Sequence, residues 1–329
     1  MIRWAIIVLA ALLELAAPSP ASAQGKTVLR YGQIANSARS ISSLALYVAE
    51  RKGFLANEGI DLEIVGLAGV EHMIEELDNG HVEVSHTATP YLIEGVLKGS
   101  DAAAIVGGPA NTIFSLVAKP QIKSFADLKG KVIGLSLPVD TISISTRKLL
   151  AKHGLGPSDY STKVLIGTPV RADCLSKGEC DAVPLGQPDD IVFADKGYTK
   201  LGDSLEVIPA LQFNVIAARR AWAEANKDTA TRFARAFGAA YSFIGDPANR
   251  DEVVAIIVDT TGAPADVARQ MLSFYYEPYR GVMPKQGEIN MAGMNEVIEL
   301  LGESGDLQPP LPPAERFVDL RYLAAAGLQ

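Results

Sequence analysis

Between residues 27 and 107 the chain switches back and forth between two hydrophobic periods, and no other feature narrows its fold so far. "TVLRYGQI" (27–34) reads as a strand. After the loop "ANSARS", Ile41, Leu44, Ala45 and Val48 recur at i, i+3, i+4 and i+7, the spacing of one helix face. Gly53 stands where a helix ends in a left-handed residue, a conformation that glycine adopts at little cost. Past the turn Asn57–Gly59, Ile60, Leu62 and Ile64 alternate with Asp61 and Glu63 as in a half-buried strand. Parallel neighbours need such a crossover helix between them. The pattern then repeats. Val70, Met73, Ile74 and Leu77 mark a helix, "DNG" stops it, "HVEVS" reads as a strand, and a helix over Tyr91–Lys98 leads to "AAAIVGG". The fold class is therefore α/β, a sheet with helices on both faces.

Part of this plan occurs a second time. "LDNGHVEVSHTATP" (77–90) and "LSKGECDAVPLGQP" (175–188) align without gaps at an offset of 98, with Leu, Gly, an acidic residue (Glu83, Asp181) and Pro in step. Each reads as helix end, glycine stop, strand, and a loop at the strand's carboxyl end. The chain's 329 residues suit two lobes of about 150 residues each. In the second, Lys131–Ser136 reads as a strand, Asp140 as the cap of a helix to His153, and Thr168-Pro169 as the start of a further helix. Two long β-like segments, 103–119 and 210–220, read as crossovers between lobes. Beyond Ala221 the pattern is mostly helical, with Phe233, Phe237, Ala240 and Ile244 on one buried face.

Residues 1–23 stand apart. Arg3, the apolar run "WAIIVLAALL" and "PSPASA" make a secretory signal peptide cleaved after about Ala23, the run being shorter than the ~20 residues of a spanning helix. A formal charge of −8 with no basic cluster argues against nucleic acid as a partner. Cys174 and Cys180 are the two cysteines; an exported chain permits a disulfide between them, and two buried free thiols are the alternative. The four histidines, His72, His81, His86 and His153, fit no metal-binding spacing.

"LYVAERKGFLANEGIDLEIV" resembles the signature of the solute-binding proteins of ABC transporters of the nitrate/sulfonate/taurine type, a group that includes thiamine-pyrimidine binders. Its pattern is Ala-x-x-x-Gly-Phe-Phe-x-x-x-Gly before alternating hydrophobic residues, with Leu55 here in place of the second Phe. "SFADLKGKVIGLS" is similar to the segment that opens the family's second lobe, and "LSKGECDAV" to its Leu-x-x-Gly-x-x-Asp-Ala strand. The three stretches keep the family's order, and the resemblance covers roughly residues 27–275. It implies a type II periplasmic binding protein fold, two α/β lobes joined by a two-strand hinge with a ligand cleft between them. Lobe one would comprise 24–110 and 213–329, and lobe two 111–212. The resemblance further implies a monomeric periplasmic receptor, without enzymatic activity, metal or cofactor. It would deliver a small-molecule ligand to ABC permease subunits driven by a cytoplasmic ATPase. The pyrimidine-precursor synthases of the same fold carry a cysteine-rich motif and histidine chemistry, which this sequence lacks. A pyrimidine-precursor binder or enzyme, or a receptor serving another transporter or sensor, remains the alternative.

In open α/β sheets, ligands sit at the carboxyl ends of strands, where helix N-termini offer free N–H groups. In lobe one this selects Asn36, Ser37, Arg39 and Ser40 from the first loop and Thr87 and Thr89 from the loop with His86. In lobe two it selects Asp140, Thr141 and Gln187, and the crossovers add Asn111 and Asn214. Arg39 can clamp a sulfonate or carboxylate with two parallel hydrogen bonds, which favours an organic anion. Asp140 reads first as a helix cap; as a ligand residue it would favour an amine or pyrimidine. The aromatic run "YYEPYRG" (275–281) reads as helix-end packing, with ligand stacking as the alternative.

Overall fold

In the computed structural model, residues 26–35, 40–69, 72–111, 114–208, 210–276 and 282–328 are described. The signal peptide expected at 1–23 lies outside them. β1 (Thr27–Ile34) leads through α1 (Leu44–Arg51) and α2 (Phe54–Asn57) to β2 (Ile60–Leu67). α3 (Met73–Asp78), β3 (Val84–Ala88), α4 (Thr89–Leu97) and β4 (Ala102–Gly107) complete the first run. The chain then enters a second sheet through β5 (Ser115–Ala118), β6 (Val132–Leu135), α5 (Thr141–Lys152), β7 (Ser161–Val164) and α6 (Thr168–Ser176). β8 (Ala182–Leu185), α7 (Asp189–Asp195) and β9 (Thr199–Asp203) follow. β10 (Asn214–Arg219) returns to the first sheet, and the remainder is helical: α8 (Arg220–Ala225), α9 (Lys227–Gly245), α10 (Arg250–Thr261), α11 (Ala265–Tyr276), α12 (Met291–Glu303) and α13 (Arg321–Ala325).

The sheets run β2-β1-β3-β10-β4 and β7-β6-β8-β5-β9. In each, three strands are parallel, and the strand arriving from the other lobe, β10 or β5, lies antiparallel between two residents. The two lobes thus share one topology. The 98-residue offset carries β3 (84–88) onto β8 (182–185), the central parallel strand of each sheet. Glu83 accepts the backbone N–H of Arg30 at 2.8 Å, and Asp181 that of Val132 at 2.9 Å. Each of these carboxylates also holds a cation, Arg30 in one lobe and Lys119 in the other.

The segment 103–119, read as one β-like stretch, is two strands in different sheets. The chain leaves the first at Gly107 and joins the second at Ser115, because Gly108 and Pro109 spend their backbone bonds on Asn214 and Phe213 instead of a ladder. Likewise, 210–220 becomes a strand only from Asn214. Gly53 is left-handed (φ 71°), but Phe54 then opens the short helix α2 instead of a turn. β2 is an edge strand, which leaves Ile64 40% exposed where alternation alone would bury it. Phe233 and Phe237 of α9 pack against Tyr31 of β1 with ring centroids 6.4 and 6.3 Å apart. The C-terminal helices thereby complete the core of lobe one.

Candidate functional site

The two crossings, 107–115 and 203–214, leave a cavity of about 160 Å³ between the carboxyl ends of the two sets of parallel strands. A larger hollow of about 730 Å³ beside α3 and α4 lies at the other end of the lobe-one sheet, near Lys98 and Ser100, away from those strand ends.

The lobe-two wall carries the charge. Asp140 caps α5: the Ile142 N–H donates to Oδ1 at 2.9 Å and the Ser136 hydroxyl to Oδ2 at 2.8 Å. Burial raises its pKa, and these two bonds oppose the rise. Arg171, on the first turn of α6, is 1% exposed. Its Nε donates to the Pro184 carbonyl at 2.7 Å, Nη1 to the Leu165 carbonyl at 3.2 Å and Nη2 to Thr168 Oγ1 at 3.1 Å. Two of the five guanidinium N–H groups are left over. Burial pushes its pKa down to about 10, against the pull of Asp140 and Asp189, so the group is still a cation at neutral pH. Gln187 follows β8; its Nε2 donates to Asp190 Oδ2 at 2.9 Å, and its buried Oε1 has no partner.

Among the described residues, the lobe-one wall is neutral. Gln33, near the end of β1, donates from Nε2 to the Ser43 hydroxyl and keeps a buried Oε1 without a partner. His86 in β3 has an unpartnered, buried Nε2, and burial lowers its pKa to about 4, which keeps the imidazole uncharged. The hydroxyls of Ser40 and Ser42 bond to each other. Ile34, Ile41, Phe213 and Tyr275 supply apolar lining on this side, and Phe114, Ile142 and Ile166 face them.

Of the residues chosen from sequence, Ser40, Asp140, Gln187 and Asn214 meet at this cavity, with His86. Thr87, Thr89, Asn111 and Thr141 are buried but are not among its lining residues; Thr89 and Thr141 are the first residues of α4 and α5. Asn36, Ser37 and Arg39 lie outside the described residues, as do positions 277–281 of the aromatic run. Tyr275 from that run does line the cavity. Sequence reasoning passed over Gln33, Ser136 and Arg171. For Arg171 a signal existed: Arg171, Cys174 and Leu175 occupy i, i+3 and i+4, so a charge stands at a position of apolar period. Cys174 and Cys180 are joined in a disulfide that ties the end of α6 to the approach to β8, so the free-thiol alternative does not hold. The other histidines are elsewhere, His153 stacked on Phe125 with centroids 3.7 Å apart. Among the described residues, no group of three or more His, Cys, Asp and Glu side chains is placed to hold a metal ion.

A family model described as NMT1/THI5 like matches residues 40–249, the whole of the second sheet and both crossings. The chain belongs to this family. YtlA of Bacillus subtilis, named as a candidate binding protein, is 23% identical to this NMT1/THI5-like chain over 302 residues, 85% of each. The 4-amino-5-hydroxymethyl-2-methylpyrimidine phosphate synthase THI5 of Saccharomyces cerevisiae is 25% identical over 142 residues, 42% of this chain and 41% of the yeast protein. Among solved structures, the ligand-binding component of an ABC-type import system from Staphylococcus aureus superposes with a TM-score of 0.73 at 16% identity, covering 91% of this chain and 98% of that one. The periplasmic aliphatic sulphonate-binding protein SsuA of Escherichia coli gives 0.69 at 19% identity, with 89% and 92% covered. This NMT1/THI5-like protein has their fold, the periplasmic binding protein fold of two α/β lobes.

Proposed function

We propose that the protein is the periplasmic solute-binding component of an ABC importer. It captures a small organic solute between its lobes by rotation about the two crossings and hands it to a membrane permease. One observation carries the reading: three residues that line a single cavity, Gln33 and His86 from lobe one and Gln187 from lobe two, each keep a buried polar atom without a partner, Oε1, Nε2 and Oε1. Each such atom costs about 1–3 kcal/mol when left unpaired, so a ligand with complementary groups stabilises the closed arrangement. The names of YtlA and of the structural neighbours agree with this role. Export through the N-terminal segment 1–23 belongs to the same proposal.

The solute we favour is an organic anion such as a sulfonate or carboxylate. Arg171 brings two spare N–H donors and a full charge to lobe two, and the N-terminal turn of α6 adds its amides. Asp140 brings a negative charge to the same wall, which the attraction of the Arg171 cation offsets, and both of its oxygens already accept hydrogen bonds inside the protein. A second reading, a pyrimidine-precursor ligand or an enzyme acting on one, draws on the match to the yeast synthase and on Asp140 in the wall. Thermal-shift and calorimetric titration of the mature protein with alkanesulfonates, aromatic carboxylates and aminopyrimidines separates the two. We expect anions to bind, and Arg171→Met and Arg39→Ala each to weaken them tenfold or more, roughly 1.4 kcal/mol. Stabilisation by the heterocycles alone sinks the anion reading, and turnover of any of them sinks the receptor reading.

A further inference from the structure

Gln187 is a cavity-wall amide whose orientation is dictated by a charged neighbour. Asp190, the second residue of α7, is 4% exposed and accepts three hydrogen bonds. Oδ2 takes the Ser115 hydroxyl at 2.7 Å and Gln187 Nε2 at 2.9 Å, and Oδ1 takes its neighbour's Ile191 N–H at 2.9 Å. An ionised carboxylate only accepts, so a reversed Gln187 would set its oxygen against another oxygen. The amide nitrogen is held inward, and Oε1, buried and unpartnered, is the polar atom that this cavity-lining residue has left to offer. Gln33 on the opposite wall is different: its nitrogen meets the Ser43 hydroxyl, which can donate as readily as accept.

We propose that Asp190 is a positioning residue that fixes Gln187 as a hydrogen-bond acceptor, so that the cleft selects solutes that bring a donor group, a hydroxyl or an amino group, to the lobe-two wall. This rests on the reading of the cleft as a ligand site. Ser115 anchors the arrangement in β5, the first strand after the chain crosses from lobe one, so the acceptor is referred to the hinge as well as to its own loop. A solute that fits both Arg171 and Gln187 therefore carries an anionic group and a separate donor.

The test has two arms. In the first, the side-chain amide of Gln187 in the ¹⁵N-labelled full mature chain is assigned by its loss in Gln187→Met. The expected result is slow hydrogen exchange of this NH₂ in the wild type, and a changed shift with faster exchange in Asp190→Asn, whose own amide can donate to Gln187 and let it reverse. In the second arm, affinities are compared for near-isosteric probes, 2-hydroxyethanesulfonate against propane-1-sulfonate and 3-hydroxybenzoate against 3-methylbenzoate. The wild type should prefer the hydroxyl member at least about tenfold, and Asp190→Asn should reduce that ratio to within about threefold. Melting temperatures of both chains separate this from simple unfolding, and Asp190→Glu, which restores an acceptor, should recover part of the preference. An exposed-like exchange rate for the Gln187 amide in the wild type overturns the proposal, and so does an unchanged probe ratio in Asp190→Asn. If none of the four probes binds, the anion reading of the cleft fails, and the amide exchange still decides whether Asp190 holds Gln187.

Discussion

His86 offers the sharpest test of how dry the cleft is. Its Nε2 is buried and unpartnered, and burial alone lowers the pKa from 6.5 to about 4. In the unfolded chain the imidazole takes up a proton as pH falls through 6.5; in the folded protein it resists until about 4. Within that window the unfolded state binds more protons, so stability falls as pH falls. The contribution is complete above pH 6.5 and lost by about pH 4. At about 1.4 kcal/mol per pH unit the full window is worth about 3 kcal/mol, and the step from pH 7 to 5 roughly 2 kcal/mol. The ring itself is half-buried, so water in the cavity makes these figures upper bounds. Asp140, Asp189 and Asp190 have raised pKa values and so gain stability as pH falls, the opposite sign. A comparison of variants removes them. Urea unfolding followed by circular dichroism at pH 7, 6 and 5, for wild type and His86→Gln, should show the wild type losing up to about 2 kcal/mol more than the variant. Curves that fall in parallel, within about 0.5 kcal/mol, would mean that His86 titrates alike in both states, and the account of a dry, neutral lobe-one wall would be wrong.

Two further perturbations test the framework around the cleft. Replacing both Cys174 and Cys180 by Ser should cost about 2 kcal/mol, from loss of the short cross-link, and lower the melting temperature by about 5 °C; alkylation of both thiols in the native, unreduced protein would refute the bridge. Gly107 ends β4 at the first crossing, where an added Cβ would lie 2.1 Å from the Glu288 carbonyl oxygen, and its N–H donates to the Gly287 carbonyl at 2.7 Å. Gly107→Ala should therefore destabilise by about 3 kcal/mol in denaturant unfolding, and a loss below about 1 kcal/mol would contradict that close approach.

What was legible in the sequence was what local chemistry decides. The glycine at 53 and the cap at Asp140 sit where periodicity put them, because helix termination and capping involve residues a few positions apart. The partner of a strand is decided by distant residues. A β-like run such as 103–119 carries no mark of the point at which it changes sheets, and Ile64 gives no sign that β2 is an edge. The site follows the same division. Asp140 and Gln187 were found because they fall at strand ends, where helix N-termini gather. Arg171 was not, because its value comes from carbonyls at 165 and 184 that enclose it only once α6 packs on β8. Gln33 looked like one more residue of a strand, and its orphaned oxygen exists only after Ser43 claims its nitrogen.

The internal repeat shows where the two lobes part company. At the offset of 98 the scaffold positions correspond: Glu83 with Asp181, each tying down the neighbouring parallel strand, and Pro90 with Pro188. Between these matched positions and just beyond them the chemistry diverges. His86 corresponds to Pro184, Thr89 to Gln187, and Leu92, fully buried in the lobe-one core, to Asp190. The carboxylate that orients Gln187 thus has an aliphatic side chain as its counterpart, and lobe one has no equivalent device at this position. A common sheet topology brings both loops to one cavity, while the residues at and just past the strand ends make one wall neutral, among the described residues, and the other charged. If that division underlies selectivity, exchanging the pair Gln187 and Asp190 for Thr and Leu should leave the fold intact and abolish discrimination between donor-bearing and donor-free probes, because the lobe-two wall would then offer no oriented acceptor at Gln187. Retained discrimination would shift the selectivity to Gln33 and His86, on the other side of the cleft.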